Sequence, residues 1–421
     1  MTTLAASPGQ PRRWHAVAAA SIGNALEWFD FVVYGFFAVT MAKLFFPTGD
    51  ETVSLLLALA TFGVPYFMRP LGAIVLGSYA DRHGRKAALT LSIAVMMVGT
   101  AIIAAAPTYA SIGLIAPILI VSARMVQGFS AGGEFGSATA FLAEQNPERR
   151  GFFASWQFAS QGLTTIFATA FGATLASTLT TAQMESWGWR IPFVFGLLIG
   201  PVAYYIRRHL DETVEFQSSQ TSKAPLREAL SGSKTKLLIA FGTVVLCTVA
   251  MYTILFMPTY ATRQLGLPAA GSYMASLLTG AIQLVLIPVV GAYSDKHGRL
   301  PIAFAAAAAI LLTIYPMFAW LAAAPTLQTL LVVQAIIGVL VAGYMGGLPA
   351  LMSELFPTHM RTTGLAISYS FGVATFGGFA PFINAWLIEM TGSKLAPSFY
   401  LMLAAVISLV ALTAARRLGV R

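Results

Sequence analysis

The chain has 421 residues, of which 57% are hydrophobic and only 10% charged, with a formal net charge of +9. A soluble domain carries about 25% charged residues, so there is too little polar surface here to clothe a soluble globule. Apolar runs of about 20 residues or more recur along the whole length, each long enough to cross a bilayer as a helix. The weak alternation in segments of about 10 residues that marks a membrane β-barrel is absent.

The basic pair Arg12 and Arg13 precedes the first apolar run. That run is longer than the core of a signal peptide, carries Glu27 and Asp30, and leads into further spans, so it reads as a first helix that stays attached. Twelve spans are predicted. The first six lie near 15–41, 52–80, 87–106, 112–143, 151–178 and 190–209. The second six lie near 237–262, 271–294, 300–323, 327–353, 362–388 and 396–416. The polar stretch between the sets gives a division into a bundle at 1–209, a linker at 210–235 and a second bundle at 236–421.

In span one, Glu27 and Asp30 sit about 20 Å from the start of the helix at 1.5 Å per residue. Their i, i+3 spacing puts them on one face, with Asn24 and Tyr34 flanking them there. A carboxylate in hydrocarbon must face a cavity, pair with a base or take a proton. Two close carboxylates cannot easily ionise together. Proton coupling meets these demands; a structural ion pair is the alternative.

Arg69 in span two and Arg124 in span four fall at the same depth as the two acids. Arginine stays charged, so each needs a counter-ion or an anionic ligand. Either the acids and bases neutralise one another, or one guanidinium is left to bind a carboxylate bidentately. Pro70, directly after Arg69, adds a helix-kink role for that segment. Gln127 follows Arg124, within the run Gln127-Gly128-Phe129-Ser130-Ala131-Gly132. Gly128, Gly132, Gly133 and Gly136 form a small-residue face suited to close helix packing, and the role of Glu134 among them stays open.

Gln157 and Gln161 are one turn apart on span five, with Ser160, Thr164 and Thr165 nearby. Such residues either hold helices together or line a cavity with hydrogen-bonding groups. In the second half Tyr252, Gln283, Tyr344 and Asn384 make weaker versions of the same case, and no charged residue falls deep in a span. The candidate ligand-binding set is therefore Arg124, Arg69, Asn24, Tyr34, Gln127, Gln157, Gln161 and Tyr344. Glu27 and Asp30 are the candidates for proton coupling.

One signature occurs twice. Gly77-Ser-Tyr-Ala-Asp81-Arg82-His83-Gly84-Arg85 returns as Gly291-Ala-Tyr-Ser-Asp295-Lys296-His297-Gly298-Arg299. A second pair accompanies it: Glu144 then Pro147 and Arg150 after span four, and Glu354 then Pro357 and Arg361 after span ten. The chain is thus an internal two-fold repeat, which in a membrane protein points to two halves that rock about a central site. Asp81 and Asp295 can cap a neighbouring helix N-terminus, while Arg85 and Arg299 can pair with Glu144 and Glu354.

Of the 25 Lys and Arg, only Lys43, Arg190, Arg263 and Lys394 fall in loops assigned to the outside, and Arg69 and Arg124 lie within spans. The rest collect at the termini and in alternate loops, which puts both termini in the cytoplasm. Topology thus accounts for the basic charge without nucleic acid. Cys247 is the only cysteine, so neither an internal disulfide nor a multi-cysteine metal cluster is possible. There is no His/Glu metal spacing, no nucleophile motif and no phosphate loop, which leaves a membrane enzyme without support.

The chain as a whole resembles a major facilitator superfamily transporter. Five stretches narrow the likeness: Gly23-Asn24-Ala-Leu-Glu27-Trp28-Phe29-Asp30-Phe31, Phe67-Met68-Arg69-Pro70-Leu-Gly72, Gln127 to Gly132, Trp187-Gly188-Trp189-Arg190-Ile191-Pro192-Phe193 and Glu354-Leu-Phe-Pro357. Together they resemble the metabolite:proton symporter family, whose members carry citrate, tricarballylate, 2-oxoglutarate, shikimate, proline or betaine. The likeness is greatest to its citrate and tricarballylate permeases.

The resemblance implies an all-α fold of two pseudo-symmetric six-helix bundles in a bacterial-type cytoplasmic (inner) membrane. It implies a monomer that takes a small organic anion, such as a di- or tricarboxylate, with a proton as coupling ion and neither metal nor cofactor. It also implies that the clusters at Asp81, Arg85, Glu144, Asp295, Arg299 and Glu354 latch the halves on the cytoplasmic side. An osmoprotectant or shikimate symporter is the alternative; the absence of a long heptad-bearing tail after the last span counts against the osmoprotectant branch. A drug exporter has no need of two buried bases.

Overall fold

The structure is a computed structural model that describes residues 10–83, 85–132, 134–208, 234–357 and 361–419. The side chains of some residues within these ranges, Glu27, Asp81, Arg85 and Glu134 among them, lie outside the description, as does nearly all of the linker expected at 210–235.

The first half comprises α1 (Gln10–Phe36), α2 (Ala38–Phe45), α3 (Glu51–His83), α4 (Arg85–Ala105), α5 (Tyr109–Ile112), α6 (Ile115–Ser130), α7 (Glu134–Glu144), α8 (Arg150–Thr178), α9 (Thr181–Ser186) and α10 (Ile191–Arg208). The second comprises α11 (Lys234–Leu265), α12 (Ala269–His297), α13 (Arg299–Ala323), α14 (Leu327–Met345), α15 (Leu348–Leu355), α16 (Arg361–Gly372), α17 (Ala380–Thr391) and α18 (Ala396–Arg417).

Seven of the described helical stretches are long and apolar enough to cross a membrane, and the α1–α2 pair makes an eighth. The remaining four spans are α4, α6 with α7, α8 and α10. Large apolar side chains such as Leu198, Leu238, Leu312 and Val410 stand mostly exposed on the outer surface, as a lipid-facing surface requires. The fold is two six-span bundles whose shared apolar core runs from Trp28 to Ala415.

Four expected single spans are interrupted. Span one bends by 72° between α1 and α2. Span four breaks between α6 and α7, and span ten breaks at Gly346 and Gly347, the corresponding place in the repeat. Span eleven carries a π turn at Val373–Gly377, closed by the Gly378 N–H donating to the Val373 carbonyl at 2.6 Å. The small residues at these points permit close packing. Gly128 and Gly132 of the fourth span lie against the main chain of α3 at Pro65 and Arg69.

Helix α8 is the exception in polarity: it has 29 residues yet is not among the apolar spans. Its buried positions include Gln157, Ser160, Gln161, Thr164, Thr165 and Thr169. It lies along α12 of the other half, with main chains in contact at Gly151 against Gly291 and again at Gly162 against Gly280. The polar helix is therefore a seam between the halves rather than a lipid-facing wall.

Candidate functional site

Two arginines lie at the centre of the first half, both buried: Arg124 is 0% exposed and Arg69 5%. The Arg124 guanidinium carbon lies 4.6 Å from the ring centroid of Tyr34, 5.2 Å from Phe31 and 5.6 Å from Phe62. That of Arg69 lies 4.7 Å from Trp28, 4.7 Å from Tyr66 and 5.2 Å from Phe31. Among the described residues no carboxylate comes within 4.0 Å of either.

Burying one ion costs several kcal/mol. Three desolvated cation–π contacts, each worth about 2 kcal/mol, are of the same order. The aromatic cages therefore hold the two charges without an ion pair to any described carboxylate.

Arg124 is positioned by its own helix and by α3. Its Nη1 donates to Gln127 Oε1 at 2.9 Å, and its Nη2 donates to the Phe62 carbonyl at 3.4 Å. Gln127 Nε2 donates to Thr100 Oγ1 on α4 at 3.0 Å. Thr100 in turn donates to Asp30 Oδ2. Asp30 Oδ1 has no hydrogen-bond partner and faces Gly196 on α10, where a Cβ would collide with it.

Asn24 and Asp30 do not share the face expected of them. Asn24 turns to α8, where its Nδ2 donates to Ser160 Oγ at 2.7 Å and its Oδ1 accepts from Gln157 Nε2 at 3.1 Å. Asp30 turns to α4. The six residue steps from Asn24 to Asp30 rotate the helix by about 240° net, so only nearer neighbours share a face. Asn24 and Gln157 thus bind α1 to α8. Glu27 lies outside the described side chains.

Between the halves lies a pocket lined by Trp28, Gln161 and Thr165 from the first and by Tyr252, Leu255 and Gln283 from the second. Gln161 is 3% exposed and neither of its amide atoms has a hydrogen-bond partner; Gln283 is 5% exposed and its Nε2 has none. These amides from opposite halves carry unspent hydrogen-bonding capacity at the pocket. Tyr66 and Tyr252 close the pocket region from the arginine side, their hydroxyls 2.5 Å apart across the two halves. Tyr344 sits elsewhere: its hydroxyl donates to the Thr243 carbonyl at 2.7 Å, tying α14 to α11, and it does not line the pocket. Among the described residues no cluster of His, Cys, Asp or Glu could hold a metal ion.

At the end that carries the termini, Asp295 caps α8 of the other half, accepting from the N–H of Gly151 at 2.6 Å and of Phe152 at 3.0 Å. Arg299 donates to Asp295 at 3.2 Å and also binds Glu354. Glu354 pairs with Arg150 across the halves at 3.6 Å, and Glu144 pairs with Arg361 across them at 3.3 Å. The two repeat copies thus exchange partners, each acid taking the arginine of the other half. Asp81 and Arg85 lie outside the described side chains. At the opposite end Arg263 binds Glu51 at 2.6 Å, and the Tyr273 hydroxyl donates to the Phe36 carbonyl at 2.8 Å, at the bend of span one. The halves touch at both ends.

Sequence reasoning missed Thr100 and the rings of Phe31, Tyr34, Phe62 and Tyr66 as a cage. A signal existed for part of the cage: Trp28, Phe31 and Tyr34 recur at steps of three along one helix. A lone threonine gave none.

The family model described as Major Facilitator Superfamily matches residues 20–319 and 239–420. The citrate-proton symporter of Klebsiella pneumoniae is 38% identical over 401 residues, covering 94% of this chain and 90% of that protein. The proline/betaine transporter of Escherichia coli K12 is 34% identical over 425 residues, covering 94% of this chain and 82% of that one. The crystal structure of a D-xylose-proton symporter superposes with a TM-score of 0.73 at 17% identity, covering 94% of this chain and 97% of that one, a likeness of fold alone.

Proposed function

The chain belongs to the Major Facilitator Superfamily, and from that premise we propose that it is a proton-coupled importer of an organic anion, a di- or tricarboxylate such as citrate, working by alternating access. The observation that carries this reading is the caged pair Arg69 and Arg124, two buried charges held by aromatic rings, one of which, Trp28 against Arg69, also lines the pocket between the halves. A carboxylate docks on these guanidiniums, whose planar forks suit it bidentately. Gln161 and Gln283 supply hydrogen bonds to its remaining oxygens.

Asp30 is the proton site. It lies behind the anion anchors rather than in the pocket, so proton and anion need not compete for one place. A proton carried with each anion offsets part of its charge and supplies the driving force for uptake. Both termini face the cytoplasm of a bacterial inner membrane, and the exchanged ion pairs with the Asp295 cap form the inner latch. Glu51–Arg263 and Tyr273–Phe36 form the outer one. Each chain holds a whole site, so a monomer suffices.

The test is uptake of radiolabelled citrate into proteoliposomes with and without an inward proton gradient, with unlabelled tricarballylate, 2-oxoglutarate, shikimate and betaine as competitors. Gradient-driven accumulation blocked by carboxylates is expected. Betaine-sensitive uptake with no citrate transport would move the chain to osmoprotectants.

A further inference from the structure

Three hydrogen bonds join Arg124 to Asp30, and all three run the same way. Arg124 donates to Gln127, Gln127 donates to Thr100, and Thr100 donates to Asp30. Each proton leans toward the carboxylate, from α6 through α4 to α1. Thr100 is 0% exposed, and its hydroxyl carries one proton but has two acceptors in reach: Asp30 Oδ2, and the carbonyl of Met96 one turn back at 3.2 Å. A threonine in a helix commonly donates to that i−4 carbonyl, so the bond to Asp30 is the departure from habit.

We propose that Thr100 is the positioning residue that couples the charge of Asp30 to the anion affinity of Arg124, by turning its hydroxyl proton between Asp30 and the Met96 carbonyl. This rests on the reading of Asp30 as the proton site and Arg124 as the anion anchor.

With Asp30 ionised, the chain has an anion at one end and a cation at the other. Aligned hydrogen bonds polarise one another, strengthening each by about 10–30%, and the Arg124 charge is drawn into the chain. When Asp30 takes one proton from the medium, that proton donates to Thr100 Oγ1. The Thr100 proton turns to Met96, and Gln127 keeps its bond, because a hydroxyl oxygen accepts twice. The last link has reversed and its anion is gone. The Arg124 charge then acts on an incoming carboxylate. Proton binding therefore raises anion affinity, and by linkage anion binding raises proton affinity to the same degree.

The surroundings of Asp30 leave few rivals for this role. From α6 the charged group facing it is Arg124. From α4 Thr100 meets it and from α10 Gly196, neither of which titrates. Tyr34 is one turn along on α1 itself, turned to Arg124, and Glu27 lies outside the described side chains. On α3, Arg69 is packed on Trp28, Phe31 and Tyr66.

The experiment measures equilibrium binding of radiolabelled citrate to the purified full chain between pH 5.5 and 7.5 for the unmodified protein, Asp30→Asn, Thr100→Val and Thr100→Ser. Citrate's own titration is common to all four, so slopes are read against Asp30→Asn. One linked proton changes affinity by up to about tenfold per pH unit. The unmodified protein should show that extra slope. Thr100→Val should lose it, and Thr100→Ser should restore it.

A Thr100→Val slope equal to the unmodified one, with Asp30→Asn flat, overturns the role of Thr100 and leaves Asp30 as the proton site. A full slope in Asp30→Asn, or no citrate binding at any pH, overturns the underlying reading and this proposal with it. Should Thr100→Val fail to fold, Gln127→Met breaks the same chain one link on, and retention of slope there is equally fatal.

Discussion

Arg69 and Arg124 share the ring of Phe31, each guanidinium carbon 5.2 Å from its centroid. Two like charges seldom gather round one apolar group in a membrane protein unless an anion is meant to join them, since each ionised side chain there is costly. The ring keeps them desolvated and apart while leaving their forks unspent on any described carboxylate.

Arg124→Ala should therefore abolish anion binding while the fold survives. Removing one partner of a buried, hydrogen-bonded charge pair costs about 2–5 kcal/mol, or roughly 30-fold and upward in Kd. Arg124→Lys should not restore it, because an ammonium cannot reproduce the fork that meets Gln127 and Phe62 while facing a carboxylate. Citrate binding by equilibrium dialysis decides the matter; affinity within threefold of the unmodified protein in either variant would remove Arg124 from the site.

Asp30→Asn should separate exchange from accumulation. The amide cannot ionise, so the proton-loaded form is mimicked permanently. Counterflow of labelled against unlabelled citrate should continue, whereas uphill uptake under an inward proton gradient should vanish. The sign follows from the coupling. In the unmodified protein, uptake should fall as external pH rises, because the outward-facing site loses its proton; in the variant that fall should flatten to the dependence set by citrate's own ionisation.

The duplication, the span count and the partner types at the terminus-bearing end could all be read from sequence, because repeated motifs and apolar length survive without coordinates. Helix spacing also brought Asp30, Arg69 and Arg124 to one depth. What could not be read was direction around each helix over more than one turn: Asn24 and Asp30, six residues apart, face different neighbours. Nor did the sequence distinguish Gln161, whose amide is unspent at the pocket, from Gln157, which is bound to Asn24. The contribution of Thr100 depends on three helices meeting, and no local pattern encodes that.

Glu354→Gln should alter speed rather than affinity. Glu354 takes Arg299 from its own half and Arg150 from the other, so its neutralisation loosens the contact between halves without touching the pocket. Maximal uptake rate should change at least threefold, a shift of about 0.6 kcal/mol in a barrier, with citrate Kd unchanged. Stopped-flow uptake beside equilibrium binding reads both. A fall in affinity with an unaltered rate would place this acid in the substrate path instead of the latch.

Gly291→Leu should hold the terminus-bearing end open. Gly291 and Gly151 face each other so closely that a Cβ on either would press on the carbonyl oxygen of the other, and main chain cannot step aside as a side-chain tip can. Overpacking of this kind costs about 1–3 kcal/mol. The states of a carrier differ by only a few kcal/mol, so the closed form at this end would fall from common to rare. The pocket lies away from the wedge, at the level of Gln161 and Gln283. Citrate binding should thus stay within about threefold while uptake and exchange both fall at least tenfold, the tenfold corresponding to about 1.4 kcal/mol. Gly291→Ala, with the smaller wedge, should sit between the two. Equal transport by all three proteins would mean that α8 and α12 need not approach at this level during the cycle, and that the closure between them belongs to one resting state rather than to turnover.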